Sequence, residues 1–211
     1  MTPSKPGPSD TPQKHKIVFA SKNKGKIREL KALLYGMNVD ISSLEDYPDA
    51  PEIIEDRATF LENALKKART VSRYAGATVI ADDSGLEVEY LNGAPGIYSA
   101  RYAGDRATDE ENNQKLLEEL TNVSAQKRAA AFRCVLVLYR PDDTYETFEG
   151  KLEGRIALKL EGNEGFGYDP VFIVPEFGKT VAQLDPETKN SISHRALAFA
   201  KLKKSLQKQI G

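Results

Sequence analysis

Four short stretches of the chain combine residue types and spacings that could do chemistry. In ADDSG, Ala81 to Gly85, two carboxylates stand side by side after an apolar run. Adjacent aspartates at a strand end serve either as a turn that hydrogen-bonds its own backbone or as the acidic floor of a hard-metal site, and the turn is the commoner arrangement. If the strand persists, its side chains alternate, so only one of Asp82 and Asp83 would touch a metal. Magnesium keeps several waters and needs at least one further carboxylate. The acidic loop SSLEDYPDAPEIIED offers Glu52, Glu55 and Asp56.

The stretch SKNKGKIREL, Ser21 to Leu30, follows the apolar run KIVFA and precedes a leucine-rich segment. A strand that turns through Gly25 into a helix presents backbone N–H groups and a positive helix end, which suit a phosphate. Lys22, Lys24 and Lys26 add charge as flexible point cations. The spacing is not that of a P-loop. The chain's GKT, Gly178 to Thr180, has Ile173 where that motif needs its first glycine, and reads as an ordinary turn. GFGYDP, Gly165 to Pro170, puts two rings and an acceptor on flexible backbone, fit to stack a nucleobase and read its edge, or else to fill a core. In TKNSISHR, Thr188 to Arg195, Ser193 is an N-cap candidate. His194 and Arg195 then fall in the first helical turn, where positive charge is disfavoured unless an anion offsets it. Such local conflicts collect at functional sites.

The elements that must position these stretches alternate between strand and helix. KIVFA reads as a strand. Ile27, Leu30 and Leu34 give an amphipathic helix to about Met37, and Phe60, Ala64, Ala68 and Val71 give a second one, opened by a Thr59/Glu62 capping box. ATVIA and LEVEYL read as strands flanking DDSG, and DEENNQKLLEEL as a helix. AAAFRCVLVLYR and DTYETFEGKLEGRIA read as paired strands joined by PDD, and DPVFIV as a further strand. SHRALAFAKLKKSL is a C-terminal helix burying Phe199, Leu202 and Leu206. The expected class is α/β, a mixed sheet covered by helices.

Composition narrows the function classes. At 211 residues, 40% of them hydrophobic, one core of good size can form. Thirty Lys+Arg against thirty-one Asp+Glu leave a net charge of −1, so no overall field draws the protein to nucleic acid or an anionic membrane. Any anion must be held locally. Cys134, the sole cysteine, excludes an internal disulfide and reads as a buried hydrophobe in a reducing, cytoplasmic setting. No apolar stretch approaches the roughly 18 residues of a membrane span, and the N-terminus lacks the apolar centre of a secretion signal. MTPSKPGPSDTPQKHK has little to bury, so residues 1–15 are expected to be a flexible tail and residues 16–211 a single catalytic domain.

FASKNKGKIREL, EDRATFLENALKKA, ADDSGLEVEYLNGAPGIYSARYAG, GFGYDPVF and SISHRALAF together resemble, in order and spacing, the noncanonical purine nucleoside triphosphate pyrophosphatases, the inosine triphosphate pyrophosphatase family. The likeness runs from about Lys16 to the C-terminus. It implies an elongated mixed-sheet α/β fold of two lobes with a cleft between them, a homodimer, and magnesium-dependent hydrolysis of inosine, deoxyinosine and xanthosine triphosphates to monophosphate and pyrophosphate. By motif, Ser21, Asn23, Lys24, Gly25 and Lys26 match the phosphate loop. Asp83 matches the carboxylate credited with metal binding and water activation, Glu55 the second metal ligand, Ser84 an adjoining substrate contact, and Lys67 a lysine facing the phosphates. Phe166, Gly167, Tyr168, Asp169, Lys189, His194 and Arg195 match the base-reading elements. The chain departs from the family pattern at Arg57, where glycine is common, and at Asn163 and Glu164, where Thr-Gly is usual. A nucleotide-binding regulator without turnover is the alternative reading, and a domain whose acidic and glycine motifs are mere turns is the third.

Overall fold

A computed structural model describes residues 14–210. The tail expected over residues 1–15 lies outside the described residues up to residue 13. The first strand, β1, opens at His15 and runs His15–Phe19.

Among the described residues, seven strands form one mixed sheet in the order β2-β1-β3-β4-β5-β6-β7. β2 (Val39–Ser43) and β3 (Thr78–Val88) flank β1 and run parallel to it. β4 (Ala129–Tyr139), β5 (Tyr145–Ile156), β6 (Phe172–Val174) and β7 (Lys179–Thr180) continue the sheet antiparallel. The helices are α1 (Lys24–Leu33), α2 (Phe60–Ala75), α3 (Asp109–Glu119), α4 (Pro186–Ile192) and α5 (His194–Ile210). No helix among the described residues is long and apolar enough to cross a membrane.

The two-residue period of β3 decides which helix each of its side chains meets. Val79 and Ala81 pack with Ala64, Ala68 and Val71 of α2 on one face. Ile80 packs with Leu30 of α1 and with Phe199, Leu202 and Leu206 of α5 on the other, beside Cys134 of β4. With both faces covered, β3 and β4 read as near-continuous apolar runs. Burying each of Leu30, Phe199 and Leu202 contributes roughly 1.5–3 kcal/mol, which fixes α1 and α5 on the same side of the sheet. A third cluster, around Leu116, Phe132, Phe172 and Val181, fills the region under α3.

Several sequence expectations need correction. ADDSG is not a turn: β3 runs through it without a break, because Asp82 pairs with Leu136 and Asp83 with Val135 of β4. The strand ends at Val88, and Glu89–Leu91 is a 3-10 turn. α1 begins three residues earlier than its apolar spacing and stops at Leu33, since Asn23 caps its start through a bond from the Lys26 amide. Only Phe172–Val174 of DPVFIV is strand, and Asp169–Val171 is a 3-10 turn. β2 and α4 carry no strong apolar period and were not expected. Thr59 does cap α2, but the Glu62 carboxylate takes the Thr59 hydroxyl rather than its backbone N–H.

Candidate active site

The α1/α5 face of β3 carries Asp82, which is fully buried. Its Oδ2 lies 2.9 Å from Lys26 Nζ and 3.4 Å from Arg195 Nε, and accepts the Ser84 hydroxyl at 3.2 Å. Arg195 is in turn held at three of its donors: beside the Nε contact, Nη1 donates to Glu29 Oε2 at 3.0 Å and Nη2 to Ser84 Oγ at 3.0 Å. Lys189 Nζ donates to Asp169 Oδ2 at 2.7 Å and lies 3.3 Å from Glu29 Oε1. Three cations and three carboxylates thus form one lattice. Burial opposes ionisation of Asp82, but Lys26, Arg195 and Lys67 outweigh it and hold the carboxyl well below the usual range. Burial likewise opposes the Arg195 charge, and Glu29 and Asp82 reverse that and raise its pKa. The positive charge in the first turn of α5 is therefore offset by the protein's own anions. Ser193 caps that turn, accepting the Ala196 amide at 3.1 Å. Glu29 and the pairing of Asp82 escaped the sequence reading. The only signal for Glu29 was an acid among the apolar positions of α1, between Ile27 and Leu30.

Asp83 faces the opposite side, toward α2. Its Oδ1 accepts the Ser84 amide at 3.0 Å, and its Oδ2 is buried without a hydrogen-bond partner. Burial, followed by the nearby Glu55 carboxylate, pushes Asp83 up to about 6, against the pull of Lys67 and Lys26. Lys67 Nζ donates to Glu55 Oε1 and, at 2.9 Å, to the Asp82 carbonyl. Burial disfavours the Lys67 ammonium, yet Glu55, Asp82 and Asp83 raise its pKa overall. Arg57 points to solvent beside Asp56, and its amide donates to Asn63 Oδ1.

The Asp83 and Glu55 carboxylates suit magnesium. They are hard oxygen donors, one carries an orphaned buried lone pair, and mutual repulsion invites a cation between them. Among the described residues no group of three or more His, Cys, Asp or Glu side chains is placed to hold a metal, so water and substrate oxygens would complete the shell.

The Ser21, Asn23 and Lys26 loop and the side chains of GFGYDP and SISHR meet on the lattice side. Ser21 Oγ accepts the Asn23 amide, and the first turn of α1 carries no acid. Lys22 and Lys24 are exposed, whereas Lys26 turns inward to Asp82. A Cβ on Gly25 would lie 2.8 Å from the Phe166 ring, so only glycine admits that close approach. Lys26, Ser84, Phe132, Phe166, His194 and Arg195 line a cavity of about 120 Å³. Gly167, Tyr168 and Asp169 complete the Phe166 side of its wall. The Phe166 ring centroid lies 4.7 Å from Lys189 Nζ and 5.1 Å from Arg195 Cζ. Its loop is pinned by the start of α3, because the Gly167 amide donates to Asp109 Oδ2 and Asn113 Nδ2 donates to the Gly167 carbonyl. His194 stacks on Phe132 at 4.8 Å, and burial, then Arg195, depresses its pKa well below the ordinary value. Its neutral ring leaves Nδ1 buried and unpartnered. Asn163 and Glu164 are exposed, and the Glu164 amide bonds the Ala182 carbonyl, away from the cavity lining.

The chain as a whole is similar to known proteins. The Ham1 family profile matches residues 17–205. The dITP/XTP pyrophosphatase of Geobacter sulfurreducens is 51% identical over 191 residues, covering 90% of this chain and 96% of the relative. That of Shouchella clausii is 49% identical over 193 residues, covering 92% and 97%. A HAM1 protein from Coxiella burnetii has a similar structure, with a TM-score of 0.85 at 41% identity over 92% of this chain and 99% of that one. The Staphylococcus aureus Ham1 protein follows at 0.83 and 45%, with the same coverage.

Proposed function

The chain belongs to the Ham1 family, and on that premise we propose that Asp83 and the adjoining cavity work as a noncanonical purine nucleoside triphosphate pyrophosphatase. The enzyme hydrolyses the bond between the α- and β-phosphates of inosine, deoxyinosine and xanthosine triphosphates, releasing monophosphate and pyrophosphate. The observation that carries the catalytic assignment is the buried, unpartnered Oδ2 of Asp83, on a carboxyl whose pKa is raised to about 6. A general base works best with a pKa near the operating pH.

In this reading Asp83 orients a water and takes its proton as the water oxygen attacks the α-phosphorus. The bond to the bridging oxygen breaks and pyrophosphate leaves. Lys67 offsets phosphate charge on the Asp83 side, and Lys26 does so from α1. Ser21, Asn23, Lys24 and Gly25 seat the phosphates at the start of the helix. Magnesium held by Asp83 and Glu55 would supply charge neutralisation and a more acidic water.

Base choice follows from the donors around the cavity. Lys189, His194 and Arg195 present N–H groups to a purine 6-keto oxygen while Phe166 stacks on the ring, and Glu29 and Asp169 hold the two cations in place. Adenine would set hydrogens against those donors, at a cost of roughly 1–3 kcal/mol for each bond lost. The test is pyrophosphate release from inosine and adenosine triphosphates by the wild type and by Arg195→Ala. A large preference for inosine, narrowed in the variant, is expected. Equal turnover of both by the wild type would refute the donor account. A regulator without turnover is disfavoured, because a bare buried carboxylate facing the phosphates would only repel them.

The same reading includes a site opening as a cleft between two lobes and a cytoplasmic homodimer. The exposed Ile54, Tyr90 and Tyr98 support self-association, and the buried free thiol of Cys134 suits a reducing compartment.

A further inference from the structure

Glu55 lies in Pro51–Asp56, a stretch with neither helix nor strand, so no backbone ladder holds its carboxylate opposite Asp83. Cations hold the stretch instead. Lys67 bonds the Glu55 side chain, and Lys66 Nζ bonds the Ile54 carbonyl and the Asp56 carboxylate at 2.8 Å each. Both lysines come from α2. The third cation is Arg101, whose Nη2 donates to the Glu55 carbonyl at 2.7 Å from a different element, the 3-10 helix Gly96–Arg101.

That short helix is keyed to the strand that carries Asp83. Gly85 lies two residues beyond Asp83 and on the same face of β3. A Cβ there would stand 2.4 Å from the Gly96 carbonyl and 2.5 Å from Ser99 Oγ, so the helix rests directly on the strand. Ser99 Oγ accepts the Leu86 amide at 2.9 Å, and the Ser99 carbonyl accepts the Tyr168 hydroxyl at 2.8 Å. With three residues per turn, Tyr98 and Arg101 eclipse, and the guanidinium carbon sits 5.2 Å from the Tyr98 ring centroid. The arginine is thereby aimed before it meets Glu55.

We propose that Arg101 is a positioning residue that sets where Glu55 presents its carboxylate to Asp83, acting through the Glu55 backbone carbonyl. The inference rests on the reading of Asp83 and Glu55 as the magnesium pair. It makes Gly85, Ser99 and Arg101 a frame, distinct from the α2 lysines, that fixes the spacing of the two carboxylates. Through Tyr168 the same frame touches the base loop.

The test compares Arg101→Met, which keeps the stem over Tyr98 and removes the donors, with Arg101→Lys and Glu55→Gln. Mn²⁺ binding to the nucleotide-free protein is followed by water-proton relaxation, and inosine triphosphate binding is measured in EDTA by calorimetry. Arg101→Met should raise the Mn²⁺ dissociation constant roughly 10- to 100-fold, the range found when a partner of a metal ligand is lost. Arg101→Lys should recover part of that affinity. The double variant with Glu55→Gln should bind no more weakly than Glu55→Gln alone, because both act on one ligand. Nucleotide affinity in EDTA and the melting temperature should hold. An unchanged Mn²⁺ constant overturns the proposal, as do full additivity with Glu55→Gln or a parallel loss of melting temperature and EDTA affinity. If the wild type releases pyrophosphate from inosine triphosphate while Arg101→Met binds Mn²⁺ normally, this inference alone fails. Absence of both turnover and Mn²⁺ binding in the wild type sinks the reading of the site as well.

Discussion

Asp82 and Asp83 are consecutive residues of one strand, yet they sit in opposite chemical worlds. Asp82 is enclosed between α1 and α5, with Lys26, Arg195 and Ser84 on its Oδ2, and its ionised form is strongly favoured. Asp83 is enclosed on the α2 side with one backbone donor, an empty Oδ2 and a second carboxylate nearby, and its neutral form is favoured up to about pH 6. Burial alone does not decide ionisation; the partners that burial leaves within reach do. In the proposed reading, two carboxyls driven apart in this way are an anchor and a reactive group. The pleat of the strand makes the division, because it sends neighbours to opposite faces.

The sharpest way to break this contrast is to neutralise each aspartate in turn. Asp83→Asn should cut pyrophosphate release from inosine triphosphate roughly 10²–10⁴-fold while the circular dichroism spectrum is kept. Near-normal turnover would remove Asp83 from the chemistry. Asp82→Asn should act first on the fold, since it strips a buried anion from Lys26 and Arg195. A loss of about 3–5 kcal/mol in urea unfolding is expected. A variant of unchanged stability would show the lattice to be less coupled than its distances suggest.

A smaller effect separates the two residues by pH. The folded-state value for Asp83, about 6, lies above the ordinary aspartate value of 3.8. Its proton therefore stabilises the fold below about pH 4, and that contribution is lost as pH rises through 6. Measured in EDTA, Asp83→Asn should gain stability relative to the wild type between about pH 4 and 7, by on the order of 2–3 kcal/mol. A flat difference across that range would mean that Asp83 is ionised like an ordinary surface carboxylate. The smallest effect is expected at Ser84, whose hydroxyl bridges Asp82 and Arg195. Ser84→Ala should cost about 1 kcal/mol in the same urea measurement, since the two charges still pair without it. A cost equal to that of Asp82→Asn would move the anchor from the carboxylate to the hydroxyl.

Elements with long, regular apolar spacing were legible in the sequence: α2, α5 and the β4–β5 pair stand close to where their patterns put them. β2 was not, because VDISS alternates weakly and gains strand form only by lying along β1. α4 was hidden for a related reason: it spans only seven residues, none of them buried. ADDSG failed differently. The turn preference of paired aspartates is local and modest, and ten residues of register with β4 override it.

At the proposed site, SKNKGK, the acidic pair, GFGYDP and SISHR stood out in the sequence by residue type and order, because phosphate, metal and base binding would each call for particular side chains whatever the fold. Which charge answers which other charge was decided only by folding. Arg195 and Glu29 are separated by 166 positions and Arg195 and Asp82 by 113, and no pattern in the chain joins them. The opposite fates of Asp82 and Asp83 were decided there too. Side-chain identity is a property of one position, whereas ionisation and pairing depend on distance and burial, and those exist only once α1, α2 and α5 close on the two faces of β3.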